Sequence, residues 1–214
     1  MKRVPLIASL LVLAAAPAIA FAQDAGEVDI EQSVTISSAY VFEDQALVID
    51  GSPVINYSAS ATFRHVEASI WVQAGNRNAQ ELDVGLRCAD VIFGPVAINC
   101  ELSAYTYPTT GYDTIYTGAV GASVPLPLGV SGNVTIQRYL GGQDSTKVSL
   151  ALSRDFGRVS VAVGYALNEP EGTRPTFVRI SAPLGRGDRA PTIGFRGFVD
   201  GSEHGAVVDL SRSF

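Results

Sequence analysis

Between residue 33 and the C-terminal Phe214, apolar residues recur at every second position, in segments of about ten residues. Residues 128–138 show the pattern: Val130, Val134 and Ile136 alternate with Ser131, Asn133, Thr135 and Gln137. Side chains of a strand point alternately to its two faces, so this period writes a strand with one apolar and one polar side. The 3.6-residue period of an amphipathic helix is missing over the same span. Twelve such segments can be marked: 33–43, 53–63, 66–74, 81–89, 96–105, 112–124, 128–138, 146–154, 159–167, 176–182, 192–199 and 206–214. Most approach the ~9–11 residues with which a tilted strand crosses a bilayer.

Alternation does not say which face is inside. A lipocalin-like barrel or a sandwich buries the apolar face; a membrane barrel turns it to lipid and keeps the polar face around water. Composition separates the two. Charged residues make up 17% of the chain, against ~25% in soluble domains, and the mean hydropathy is +0.22. The polar positions are mostly Ser, Thr, Asn, Gln and Gly rather than the charged residues of a solvated surface. Compact turns near Arg64, Gly94, Pro127 and Gly157 alternate with polar loops near Asp50, Asn76, Thr109, Gly142, Glu171 and Ser202, the asymmetry expected of the two rims of a membrane barrel. The stretch 183–191, on the compact side, is longer than this scheme asks. Phe63, Phe93, Phe156 and Phe214 fall at the compact-turn rim, and Tyr40, Tyr105, Tyr107, Tyr112, Tyr139 and Tyr165 at or near the other; aromatic girdles are expected at both. Tyr57 belongs to neither. The expectation is an all-β chain forming a single antiparallel transmembrane β-barrel of about twelve strands over 33–214.

Residues 1–22 read as a secretory signal peptide: Lys2 and Arg3, an apolar run over 6–16, and small residues before a cleavage point after Ala22. Residues 23–32, acidic and without alternation, read as a short N-terminal lead-in. The chain from Gln23 on holds 13 basic and 21 acidic residues, a net charge of −8, which argues against a nucleic-acid partner. Cys88 and Cys100 flank Phe93-Gly94-Pro95; a hairpin turning there sets them opposite each other, and an oxidising compartment makes them a disulfide. Two Cys without nearby His fall short of a zinc set.

On the polar faces lie charges of both signs: Glu67, Asp83, Arg87, Glu101, Lys147, Arg179, Arg196 and Asp209. These are the candidate lumen-lining residues. The register that pairs residues 88 and 100 sets Arg87 opposite Glu101, a cross-strand pair able to brace the wall. No catalytic set is legible. His65 and His204 belong to opposite ends of the barrel and cannot share a Ser-His-Asp triad. Glu43–Asp44 and Glu169–Glu171 are carboxylate pairs on loops, without the fixed separation glycoside hydrolysis needs. With Asp50 they lack an EF-hand pattern for Ca²⁺. Arg186-Gly187-Asp188 spells an adhesion tripeptide but falls in a compact-side turn. The triplets at Asn56 and Asn133 lie inside strands, the wrong place for glycosylation. No phosphate loop or dinucleotide fingerprint occurs, so neither cofactor nor metal is expected.

The segment Val34-Thr35-Ile36-Ser37-Ser38-Ala39-Tyr40-Val41-Phe42, followed by Ser52-Pro53-Val54-Ile55, resembles the opening of the TorF-type porin family of proteobacteria. Glu81-Leu82-Asp83-Val84-Gly85 resembles that family's acidic-aliphatic-Asp strand. Glu43-Asp44 stands where the family usually has Arg-Gly. The resemblance implies an outer-membrane β-barrel that passes small hydrophilic solutes, with outer-membrane lipid and the barrel-assembly machinery as partners. A barrel acting through its external loops, and a soluble periplasmic barrel holding an apolar ligand, are the alternatives. The last segment, with Val208, Leu210 and Phe214 on one side and Asp209, Ser211 and Ser213 on the other, has the form of a barrel-closing strand, whose terminal Phe214 serves as the assembly signal. Arg212 occupies a position where an apolar residue is expected. It either snorkels to headgroups or marks a bulge that turns it inward.

Overall fold

A computed structural model describes residues 28–42, 47–50, 52–75, 80–108, 113–140, 145–169, 172, 174–187, 189–201 and 203–214. The strands are β1 (Val28–Ser37), β2 (Tyr40–Phe42), β3 (Leu47–Asp50), β4 (Val54–Phe63), β5 (Val66–Ala74), β6 (Glu81–Phe93), β7 (Val96–Thr106) and β8 (Ile115–Leu126). They continue as β9 (Val130–Leu140), β10 (Thr146–Phe156), β11 (Val159–Glu169), β12 (Thr176–Pro183), β13 (Thr192–Asp200) and β14 (Glu203–Ser213). Twelve of them close an antiparallel barrel in the order β1-β14-β13-β12-β11-β10-β9-β8-β7-β6-β5-β4, and β2 pairs with β3 as a separate hairpin. Every barrel neighbour but the β1–β14 seam is also a sequence neighbour or is separated only by that small hairpin, so the topology follows from hairpin formation alone.

The seam pairs Ser33 with Ser213 through Ser37 with Asp209. It is extended at one end by Phe214 N–H donating to the Gln32 carbonyl and at the other by Ser38 N–H donating to the Val208 carbonyl. Closure removes the free sheet edges that an open antiparallel sheet would expose.

Two departures from the sequence reading concern the first strand. Residues 28–32 are not lead-in: β1 begins at Val28, which pairs with Phe63, and the ladder runs without a break to Ser37 opposite Val54. Val28-Asp29-Ile30-Glu31-Gln32 alternates too, but its charges masked the period. Residues 33–43 are also not one strand. The chain bends at Ser38 and Ala39, and Tyr40–Phe42 leaves the barrel wall to pair with Leu47–Asp50.

One end of the barrel is closed by compact turns. Arg64-His65, Gly94-Pro95 and Gly157-Arg158 are two-residue hairpins. In each the first turn residue sits in the left-handed region, at φ 53°, 61° and 65°. Glycine takes this conformation freely; Arg64 does so against the preference of a residue with a Cβ. Pro127–Gly129 makes a short 3-10 turn between β8 and β9. The longer link from β12 to β13 is pinned by Leu184 N–H donating to the Pro191 carbonyl.

Register settles the question of faces. Ile36, Val84, Leu86, Leu102, Val120, Ile136, Leu150, Leu152, Val163, Val208 and Leu210 all lie on the outside and are exposed. Val84, Leu86, Leu102, Val120, Ile136 and Leu150, at 51–57% exposure, form an apolar belt around the strands' middle. The soluble alternative is thereby overturned, because its apolar faces would be buried. Phe63, Phe93, Phe156 and Phe214 all point outward at the turn end, at 42–64% exposure. Three of these rings carry a guanidinium: Arg64 over Phe63 at 5.1 Å, Arg154 over Phe156 at 4.8 Å and Arg212 over Phe214 at 5.4 Å. Arg212 therefore faces outward, opposite Val34, and β14 carries no bulge there.

Candidate functional site

The inward face of the barrel is polar, and its middle opens into a cavity of about 750 Å³. Thr35, Asn56, Gln73, Gln137 and Ser181 contribute neutral polar groups to it. Of the eight lumen charges read from the sequence, Asp83, Lys147, Arg179, Arg196 and Asp209 line this cavity. Glu67, Arg87 and Glu101 share the inward face but sit nearer the turn end, outside the cavity lining. Arg87 stands in register between Glu67 on β5 and Glu101 on β7, as the hairpin reading required. The Glu101 carboxylate accepts a hydrogen bond from Ser103 Oγ on its own strand.

A cross-strand salt bridge between described residues lies elsewhere. Arg196 Nε donates to Asp209 Oδ2 at 2.8 Å and Arg196 Nη2 to Asp209 Oδ1 at 3.1 Å, a two-pronged pair between β13 and β14. Planar guanidinium and carboxylate match in this geometry, which fixes both side chains against the wall. Arg196 also stands directly across from Arg179 on β12. The Arg179 guanidinium lies over the Phe177 ring, 5.3 Å from its centre. Phe177 in turn covers Gly164, the residue opposite it on β11. Above this shelf Ala39, Phe198 and Val207 pack together inside the barrel with Phe177 against them. These inward apolar residues break the alternation; the sequence signal for Phe177, Phe198 and Val207 is their place two residues from Arg179, Arg196 and Asp209 on the same strand faces.

Sequence reasoning missed one charge. Glu81, at the start of β6, lines the cavity beside Asp83 and is 7% exposed. The motif Glu81-Leu82-Asp83 does place both carboxylates on one face, since residues two apart in a strand share a side. Three tyrosines were also misplaced. Tyr105, Tyr107 and Tyr139 line the cavity rather than an outer girdle; a position near the strand end fixes the height of a side chain but not its face. Tyr165 and Tyr116 are outward and exposed, whereas Tyr112 and the side chain of Tyr40 lie outside the described residues. Tyr57 faces outward in mid-wall, where its hydroxyl donates to Gln32 Oε1 at 3.0 Å.

Cys88 and Cys100 are bonded, at a Cα separation of 5.1 Å. By register with Leu86 and Leu102 the disulfide lies on the outer face. His65 occupies the β4–β5 turn and His204 the other end of the barrel, opposite Val199. Arg186 is exposed in the β12–β13 link, while Asp188, Glu43, Asp44 and Glu171 lie outside the described residues.

A closed twelve-stranded antiparallel barrel with an apolar exterior and a polar, charged interior has the architecture of a transmembrane β-barrel. Solved structures agree. The chain is similar to the KdgM porin, with TM-score 0.64 and 9% identity over 86% of this chain and 98% of that one. It is equally similar to KdgM porin in complex with disordered oligogalacturonate, with TM-score 0.65 at the same identity and coverage. At this identity the likeness is one of fold. No protein-family profile matches the chain, and no curated protein sequence is similar to it.

Proposed function

We propose that the chain is an outer-membrane porin that lets small hydrophilic solutes diffuse through its lumen, without cofactor or chemistry. The observation that carries this reading is the pairing of an outward apolar belt with a polar cavity of about 750 Å³ inside the same wall. A barrel built only as an anchor has no use for a charged interior cavity, because each desolvated charge costs stability.

In this reading residues 1–22 direct export and are removed, the barrel inserts with its compact turns on the periplasmic side, and Phe214 presents the assembly signal. The strand motifs at residues 34–42, 52–55 and 81–85 support membership of the TorF-type porins. The Phe–Arg rim at the turn end suits periplasmic headgroups, where aromatic rings and snorkelling guanidinium groups both settle.

The test is a planar-bilayer recording of the purified protein, with folding checked by heat-modifiable migration on a gel. Discrete channel steps are expected. Folded protein that stays silent at all voltages overturns the pore reading and leaves the barrel acting through its loops.

A further inference from the structure

The charges that line the cavity are not mixed around it. Glu81 and Asp83 sit on β6, and Glu101 and Glu67 lie on the flanking strands β7 and β5. Lys147, Arg179 and Arg196 sit on β10, β12 and β13. In the closed ring β6 and β12 are six strands apart in either direction, so the carboxylates of β6 and the guanidinium of Arg179 face each other across the lumen. Among the cavity-lining charges the exception is Asp209, which is committed to Arg196; nearer the turn end, outside the cavity, Arg87 lies among the acidic residues and Asp155 shares the inward face of β10.

Both groupings work against stability. Arg179 and Arg196 are like charges at directly opposed positions of one ladder, an arrangement that destabilises a sheet. Glu81 and Asp83 share a face two residues apart. The acidic side also holds acceptors that lack donors: Asp83 Oδ1 and Asn56 Oδ1 are buried without a hydrogen-bond partner. Asn56 is 9% exposed, and its amide nitrogen donates to Ser37 Oγ. Thr35, Asn56, Gln73 and Glu81 follow one another in register across β1, β4, β5 and β6, so these acceptors form one patch. A patch of acceptors and carboxylates calls for a many-donor cation such as an ammonium group. The opposite wall offers guanidinium and ammonium donors suited to a carboxylate.

On the diffusion reading above, we propose that the lumen favours small zwitterions, solutes that carry an ammonium and a carboxylate together. Such a solute turns its ammonium to Glu81 and Asp83 and its carboxylate to Arg179 and Lys147, and recovers on both sides the hydration it loses on entry. A polyanion such as oligogalacturonate, the ligand in the similar KdgM structure, meets repulsion from the β6 wall, and a cation meets it from the β12 wall.

Proteoliposome swelling tests this with three probes: glycylglycine as zwitterion, N-acetylglycinamide as a neutral solute of similar size, and galacturonate as anion. Protein-free liposomes supply the background. Glycylglycine is expected to enter about fivefold faster than either of the others. The near-isosteric pairs Glu81→Gln with Asp83→Asn, and Lys147→Gln with Arg179→Gln, should each cut that advantage below about twofold. They should also move the reversal potential in a KCl gradient in opposite directions, toward chloride and toward potassium. If one pair fails to fold, the other and the wild-type comparison still decide. Entry of N-acetylglycinamide or galacturonate as fast as glycylglycine overturns the preference alone, as does an advantage that survives either pair of substitutions. Folded protein that passes none of the probes overturns the diffusion reading itself, and the zwitterion preference with it.

Discussion

Phe177 and Gly164 show how single residues shape the lumen. Phe177 faces inward, where a phenyl ring would obstruct a channel, but it lies flat against the wall because the residue opposite has no side chain. A Cβ on Gly164 would stand 2.2 Å from the ring and 2.9 Å from the Leu150 carbonyl oxygen, so neither neighbour can be cleared by a small shift. Gly164→Ala is therefore expected to cost about 1–3 kcal/mol, the range of overpacked cores, read as a lower urea midpoint in detergent. The ring should also swing inward and lower single-channel conductance. Unchanged conductance together with unchanged stability would show that the shelf does not hold the ring. Asp209 offers a second test at this scale. Asp209→Asn removes the negative charge of the two-pronged pair with Arg196 and strengthens the basic wall, so the reversal potential should move toward chloride.

The hairpin of β6 and β7 explains the disulfide. A two-residue turn at Gly94-Pro95 pairs Phe93 with Val96 and, continued regularly, would set Ala89 opposite Cys100. One extra residue in β6 between Cys88 and Val91 shifts the register. That bulge brings Cys88 opposite Cys100 and places Arg87 beside Glu101 on the inward face. The sequence reading reached the same pairing from a turn centred on Gly94. The actual device is a tighter turn plus a bulge, a combination that also increases local twist. The bond joins residues 12 apart in sequence, and constraining a loop of that size in the unfolded chain is worth about 3 kcal/mol. Replacing both residues, Cys88→Ser with Cys100→Ser, should lower the unfolding free energy by about 2–3 kcal/mol in a urea titration. Conductance should stay as it was, because the bond lies on the outer face.

For the whole molecule the decisive property is that the barrel is apolar outside and polar inside. Adjacent residues on one strand then respond to the same substitution in different ways. Leu150 faces outward near the middle of β10, so Leu150→Arg should cost about 2–4 kcal/mol, as a cation near a bilayer midplane does, measured as reduced folding into lipid vesicles. Ala151, its inward neighbour, should accept arginine with heat-modifiable folding intact but with reduced conductance. The opposite pattern, tolerance at 150 and misfolding at 151, would mean that the faces are assigned the wrong way round.

Twelve strands, their antiparallel order and most of their lengths follow from the period-two pattern and its turn residues, because a strand's two faces and a hairpin's two-residue loop are local properties of the chain. The shared face of Asp83, Lys147, Arg179, Arg196 and Asp209 was legible for the same reason. What local pattern does not contain is distance across the ring. That β6 stands opposite β12, so that an acidic side faces a basic one, depends on the number of strands between them and on the closure of β1 against β14. The salt bridge of Arg196 with Asp209 rather than any pair at Arg87, the inward turn of Tyr105 and Tyr139, and the bulge that sets Cys88 against Cys100 likewise rest on register between strands. Register is fixed by pairing the whole wall, and only the folded barrel has done that.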